Sequence, residues 1–213
     1  MAPTSKPQLN EAMPSPAPID LSKRAHELLA GFSAQGGGNP ARFAILVKED
    51  AAFISAALSA APPAPGDGEP YSRHIIFAGP EGEAMIAHWP AGSLSWPHDH
   101  GEAWGTVIVL EGHVIEQGFR LKSDLEEAGS EHAYQTGDAI QVRPGGIHSM
   151  RAIPRSITLH LYSPPIREMK VYDQPTRIIY TVADNCGAWI PANRELIKGR
   201  ETFDHHPLHH EIS

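Results

Sequence analysis

The stretch Pro97-His98-Asp99-His100-Gly101-Glu102, answered later by Gly137-Asp138-Ala139-Ile140-Gln141-Val142-Arg143-Pro144-Gly145-Gly146-Ile147-His148, decides how this chain is read. On an extended strand successive side chains alternate faces, so His98 and His100 point the same way and can share one metal ion. The pair alone says little, because 13 His among 213 residues supply about one His-x-His by chance. Structural hydrogen bonding and metal ligation are both open readings of it at this point.

Around these blocks the chain consists of short runs of β-branched, aromatic and aliphatic residues separated by Gly, Pro, Asp and Asn. They predict strands over residues 73–77, 84–89, 105–110, 114–120, 139–142, 156–162 and 177–182. Many short strands with regular turns imply a sandwich or small barrel. Upstream, Leu21, Ala25, Leu28, Leu29 and Phe32 recur at helical spacing, with Asp20 as N-cap and Gly36-Gly37-Gly38 as a stop. A second helix is predicted over 41–60, carrying Phe43, Leu46, Val47, Phe53, Ile54 and Leu58. It stops before Pro62-Pro63-Ala64-Pro65-Gly66-Asp67-Gly68, which no helix can traverse.

The expected organisation is a flexible tail over 1–19, one domain over 20–204 that includes these helices, and a C-terminal tail over 205–213. The first tail is rich in Pro, Ala and Ser and lacks the apolar run of a signal peptide. The last one, with His205, His206, His209 and His210, reads either as a solvated tail or as a regulatory metal site. The 17 Lys+Arg against 25 Asp+Glu leave no basic patch of the kind a nucleic acid requires. No run approaches the roughly 18 apolar residues of a membrane span. A single cysteine, Cys186, excludes an intramolecular disulfide framework and suits a reducing, cytoplasmic setting. Asn185 and Gly187 beside it give the thiol no activating charge, so it reads as a small hydrophobe. The oligomeric state is left open.

The two blocks, with Gly112 closing the run Thr106-Val107-Ile108-Val109-Leu110-Glu111 between them, resemble the paired signature motifs of the cupin superfamily. That resemblance implies an all-β cupin fold, a small β-barrel or jelly roll, here with N-terminal α-helices. It also supplies His148 as a third ligand beside His98 and His100. Three neutral imidazoles leave open positions on the metal, which suits ferrous iron, Fe(II), with substrate and dioxygen. Cupins often add a glutamate to the first motif, and Gly105 occupies the matching position here. Without that carboxylate the metal keeps its charge for an anionic substrate such as a thiolate. Glu102 is the rival acid, since alternation can place it on the face of His98 and His100.

Tyr71-Ser72-Arg73 ahead of the strands and Thr158-Leu159-His160-Leu161-Tyr162-Ser163-Pro164-Pro165 after the third histidine narrow the likeness. Over residues 71–165 the chain resembles the thiol dioxygenases, whose best-known members are the cysteine dioxygenases. The resemblance implies that Arg73 grips the substrate carboxylate, a task its guanidinium fork suits. Tyr71 and Trp104 then belong to the substrate pocket, although Trp104 and Trp96 fit the core equally well. Tyr162 reaches toward the metal's ligands, with His160 and Thr158 bonded behind it. Alternation puts those three on one strand face, as a hydrogen-bond relay requires.

Departures from the family pattern matter too. Animal cysteine dioxygenases carry at the position of Gly105 a cysteine linked to the tyrosine, whereas Cys186 is remote, so no thioether is expected. Trp104-Gly105 is shared with bacterial 3-mercaptopropionate dioxygenases, which typically have glutamine where Arg73 stands. The implied activity is oxidation of a small thiol carboxylate by O2 to its sulfinate. L-cysteine is the first candidate, and 3-mercaptopropionate or mercaptosuccinate the second. A cupin enzyme acting on a non-thiol substrate with another metal, and a non-enzymatic small-molecule-binding cupin, are the rival functions.

Overall fold

The computed structural model describes residues 19–35 and 38–205. Residues 1–18 of the expected tail, the stop residues Gly36 and Gly37, and the histidines after His205 lie outside the described residues. Three helices come first: α1 Leu21–Ala34, α2 Pro40–Glu49 and α3 Ala51–Ser59. In α1 the Asp20 carboxylate accepts the Lys23 N–H at 3.0 Å, and Ala25, Leu29 and Phe32 form the buried stripe.

The single helix predicted over 41–60 is instead two helices broken at Asp50. This residue leaves the helical region, and its carboxylate accepts the Phe53 N–H at 3.0 Å, capping α3. The same carboxylate also takes the Arg24 guanidinium of α1. An aspartate that bonds its own downstream backbone competes with helix continuation, and here it wins.

Twelve strands follow: β1 Ser72–Gly79, β2 Gly82–Trp89, β3 Trp104–Glu111, β4 His113–Leu121, β5 Leu125–Glu127, β6 His132–Gln135, β7 Ala139–Val142, β8 Ile147–Ala152, β9 Ser156–Ser163, β10 Lys170–Asp173, β11 Ile178–Val182 and β12 Ile197–Thr202. All seven predicted runs are strands. The strands that patterning did not predict are short or, like β12, alternate between half-buried and exposed without a run of apolar residues.

The first sheet has the order β1-β2-β9-β3-β7, every pair antiparallel. Opposite it, β4 pairs with β8 along one edge and with β5 and β6 along the other, and β10-β11-β12 form a further ladder. The extended segment around His98 joins β8 to β10. His98 and His148 exchange both backbone bonds, at 2.9 and 3.0 Å, and Tyr172 N–H reaches the Pro97 carbonyl at 2.8 Å.

Helices, first sheet and second sheet therefore form three layers around two cores. One core lies between the helices and the first sheet, with Leu29, Phe43, Phe53, Ile86, Ile108, Leu159 and Leu161. The other lies between the sheets, with Val107, Val109, Ile140, Met150, Tyr162 and Val171. Strand β9 is central and buried along its whole length. Its Ile157, Leu159 and Leu161 face the helices, which leaves Thr158, His160 and Tyr162 to face inward. Fully burying Leu159 and Leu161 contributes about 2–3 kcal/mol each, so the register that aims the polar triplet inward is strongly fixed. The result is the all-β cupin architecture with N-terminal helices.

Candidate active site

His98, His100 and His148 come together between the sheets, all buried, with their candidate ligand atoms within 4.8 Å of one another. The segment carrying His98 and His100 is not a regular strand but an extended run held by isolated bridges. Asp99 explains how it stays straight. Its carboxylate turns away from the cluster, accepting the Tyr172 O–H at 2.8 Å and the Gly101 N–H at 3.1 Å. The two histidines are thereby left on the inner side.

Hydrogen bonds fix two of the rings. His98 Nδ1–H donates to the Trp96 carbonyl at 2.8 Å, and His148 Nδ1–H donates to Glu116 Oε1 at 2.6 Å. Glu116 also accepts the Tyr134 O–H at 3.1 Å. Burial alone would raise the Glu116 carboxyl, but its bonds to His148 and Tyr134 outweigh that and keep it ionised. A carboxylate behind a ligating imidazole fixes the tautomer and strengthens the donor nitrogen.

The residues fit a divalent transition metal. Burial, then repulsion from neighbouring rings, pushes the pKa values of His98 and His100 well below the ordinary range, so both are neutral donors. His100 Nδ1 and His148 Nε2 are buried without a hydrogen-bond partner. Leaving such atoms unpaired costs about 1–3 kcal/mol each, and a metal bond removes that cost.

The cavity in front of the cluster is lined by Tyr71, Arg73, Trp89, Met150, His160, Tyr162 and Met169 among others. Arg73, on β1, is half-buried, and among the described residues no carboxylate lies within ion-pairing distance of it. Tyr71 walls the cavity, stacked on Trp89 at 4.1 Å and edge-on to Trp189 at 5.1 Å. Its hydroxyl accepts the Ala188 N–H at 2.8 Å, which ties the segment 186–189 to this wall of the cavity. Cys186 is buried in this segment, where burial pushes its thiol up, in keeping with a small hydrophobe rather than a nucleophile.

Thr158, His160 and Tyr162 are linked in series. Thr158 Oγ1 and His160 Nε2 are 2.7 Å apart, and His160 Nδ1 and the Tyr162 hydroxyl 2.8 Å apart. Trp89 Nε1–H donates to Thr158 Oγ1 at 2.8 Å, a link that no local pattern signals. Burial, with the histidine cluster and the Arg73 guanidinium beside it, lowers the His160 pKa to about 3, so the ring is neutral. Burial also holds the Tyr162 phenol well above its usual pKa. The Tyr162 ring stacks on His100 at 5.0 Å, which brings the relay to the metal cluster.

One expectation is corrected and one alternative is set aside. Trp104 is not in the substrate pocket: it packs into the core beside the helices. Strand alternation aims Gly105 inward and Trp104 outward, toward the helical layer. Glu102 is no rival ligand either, because it is exposed on the turn made by Gly101 at φ 57° and stands outside the histidine cluster. Gly105 lies directly opposite Tyr162 in the β3–β9 ladder. A Cβ there would stand 2.6 Å from Tyr162 Cδ1 and 2.4 Å from the Leu161 carbonyl oxygen, so no side chain fits without backbone movement.

Glu116, Asp99, Tyr172 and Trp89 support the site, and sequence reasoning assigned none of them. Each acts through a partner distant in the chain, such as Glu116 on His148 or Trp89 on Thr158. Strand patterning reports faces, not such pairings.

Comparison with known proteins agrees with this geometry. The chain is 27% identical over 115 residues to cysteine dioxygenase type 1 of Danio rerio, covering 50% of this chain and 57% of that protein. It thus spans little more than half the length of that curated relative. Partial structural likenesses include a protein with a double-stranded β-helix domain from Klebsiella pneumoniae, 19% identical, covering 51% of this chain and 84% of that one, TM-score 0.43. An RmlC-like cupin from Shewanella frigidimarina is 17% identical, covering 48% and 83%, TM-score 0.37. The family model described as cysteine dioxygenase type I matches residues 45–175. With more than half of its length under that model, and three buried histidines converging inside a cupin fold, the chain belongs to the cysteine dioxygenase type I family.

Proposed function

We propose that this protein is a ferrous-iron thiol dioxygenase of the Arg-containing bacterial type, without the cysteine–tyrosine cross-link. It converts a small thiol carboxylate, L-cysteine first, into the sulfinate: RSH and O2 give RSO2H, both oxygen atoms ending on sulfur. The observation that carries the reading is Arg73, which among the described residues makes no ion pair, in the same cavity as three buried histidines. His98, His100 and His148 would hold the iron, which would supply Lewis-acid and redox activation for joining a thiolate to dioxygen.

The chain's own residues do the rest. Arg73 takes the substrate carboxylate and so fixes the distance of the sulfur from the cluster. Tyr162, backed by His160 and Thr158, presents its hydroxyl to the reacting atoms. Met85, Met150 and Met169 with Trp89 give the cavity apolar walls that keep water scarce. Tyr71 forms part of the cavity wall rather than gripping substrate by its hydroxyl, which the Ala188 amide already engages.

A second reading is favoured by one feature of the wall. Among the described residues no carboxylate or amide side chain lines the cavity, so an ammonium group finds no anionic partner there. That supports 3-mercaptopropionate or mercaptosuccinate, which carry thiol and carboxylate but no amine. The lone buried thiol of Cys186 fits a cytoplasmic setting. The test is oxygen uptake by iron-loaded protein with each of the three thiols, the product identified by mass. Sulfinate from L-cysteine supports the first reading, and sulfinate only from the amine-free acids supports the second. No sulfinate from any of them overturns both.

A further inference from the structure

We infer that Trp89 sets the direction of the Thr158–His160–Tyr162 relay, so that the Tyr162 hydroxyl proton is aimed into the cavity. The inference deepens the thiol dioxygenase reading and rests on it only for its catalytic consequence.

Three members of this chain of bonds are two-way groups. A threonine or tyrosine hydroxyl both donates and accepts, and a neutral imidazole donates through either nitrogen. Trp89 is different, because an indole N–H donates and never accepts. It occupies one lone-pair site of Thr158 Oγ1 at 2.8 Å. Among the described residues, the one other group in hydrogen-bond contact with that oxygen is His160 Nε2, at 2.7 Å.

Two arrangements are then possible. In the first, Thr158 donates to His160 Nε2, His160 Nδ1–H donates to the Tyr162 oxygen, and the Tyr162 proton is free to point at a ligand in the cavity. In the second, His160 Nε2–H donates to Thr158, and Tyr162 spends its proton on His160 Nδ1. The Thr158 proton is then stranded, because its oxygen accepts twice and no acceptor remains.

Burial decides between them. Thr158 is 0% exposed, enclosed between β2 and β3, with no place for water to take that proton. Tyr162 lines the cavity beside His100, where a bound ligand or water accepts its proton. The first arrangement pairs every group that has no access to the cavity, and the second does not. Trp89 is held for this role: it is 2% exposed, it stacks on Tyr71 at 4.1 Å, and its strand pairs with β9 in unbroken register. Trp89 is thus a positioning residue, acting through Thr158 and His160.

The test reads the His160 tautomer directly. Full-length protein loaded with Zn2+, which is diamagnetic, is labelled with 15N-histidine, and His160 is assigned by its loss in His160→Gln. The expected wild-type result is a pyridine-type Nε2 and a pyrrole-type Nδ1; the reverse overturns the proposal. In Trp89→Phe the tautomer should invert or become mixed, while Thr158→Ser keeps the wild-type pattern. An unchanged tautomer in a folded Trp89→Phe protein also overturns it. Should that variant fail to fold, 3-benzothienylalanine at position 89, with sulfur in place of N–H, removes the donor at constant shape and gives the same decision.

With iron and the thiol found active above, Trp89→Phe should lower kcat roughly tenfold with KM nearly unchanged, as loss of one transition-state hydrogen bond implies. If no thiol is oxidised, the assigned activity fails, whereas the tautomer measurement still decides the relay.

Discussion

A guanidinium half-buried beside three buried histidines, with no carboxylate within ion-pairing distance among the described residues, is placed to take the carboxylate of a ligand. Arg73→Gln should raise KM for carboxylate thiols about 10- to 100-fold, the worth of a charge-assisted bidentate bond, while iron content per chain stays at the wild-type value. Loss of iron instead would move Arg73 out of the substrate role. Glu83 is the other telling residue at this scale. It heads β2 opposite Tyr162, and burial raises its carboxyl from 4.5 to about 7, with Arg73 opposing. Between those two values the native state holds a proton that the unfolded chain has released. Stability therefore falls as pH rises through that window and levels off above it. Glu83→Gln abolishes the slope: denaturant midpoints should match wild type near pH 4 and show a gain of about 1–2 kcal/mol near pH 8, discounted for partial solvent access.

At the scale of the element, β9 shows most clearly what a pattern conveys. Its alternation separates Leu159 and Leu161 from His160 and Tyr162, and both faces are covered because the strand lies in the middle layer. The same rule, applied to β3, places Trp104 with the helices and Gly105 against Tyr162. The Trp104-Gly105 dipeptide thus affects the site only through the glycine. The helix break at Asp50 is also an element-scale device, joining the α3 cap to α1 through Arg24. Asp50→Ala removes both bonds and should cost about 1–2 kcal/mol in thermal or denaturant unfolding. Oxygen uptake at permissive temperature should stay unchanged, because neither partner reaches the cavity.

Across the whole molecule the site is divided between the two sheets. His148 on β8 and the bridging segment of His98 and His100 belong to one side, and Arg73, His160 and Tyr162 to the other. A substrate held by carboxylate and sulfur would therefore span the layers. Metal binding to the folded chain adds stability by mass action, about 2.7 kcal/mol at a hundredfold excess over Kd. For a chain of this size that corresponds to a Tm rise of roughly 5–10 °C. Chelation should reverse it, measured by paired thermal scans with and without iron. An identical Tm in both would show that the three histidines hold no metal.

By itself the sequence determined the strand periodicity, the helical cap, the three histidines and the inward triplet of β9. The strand faces, the helical stripes and the pairing of His98 with His100 follow from local spacing, because a period of two or of 3.6 fixes faces without knowledge of partners, whereas His148 joined them only through the likeness of the paired motifs to the cupin signature. Only the tertiary structure decided that Glu102 stays outside the cluster, that Trp104 faces the helices, and that Glu116 and Trp89 back the site. Those outcomes depend on which strands lie side by side and on what space a turn leaves. They are set by pairings between distant residues, such as Glu116 with His148 and Trp89 with Thr158, which no local pattern encodes.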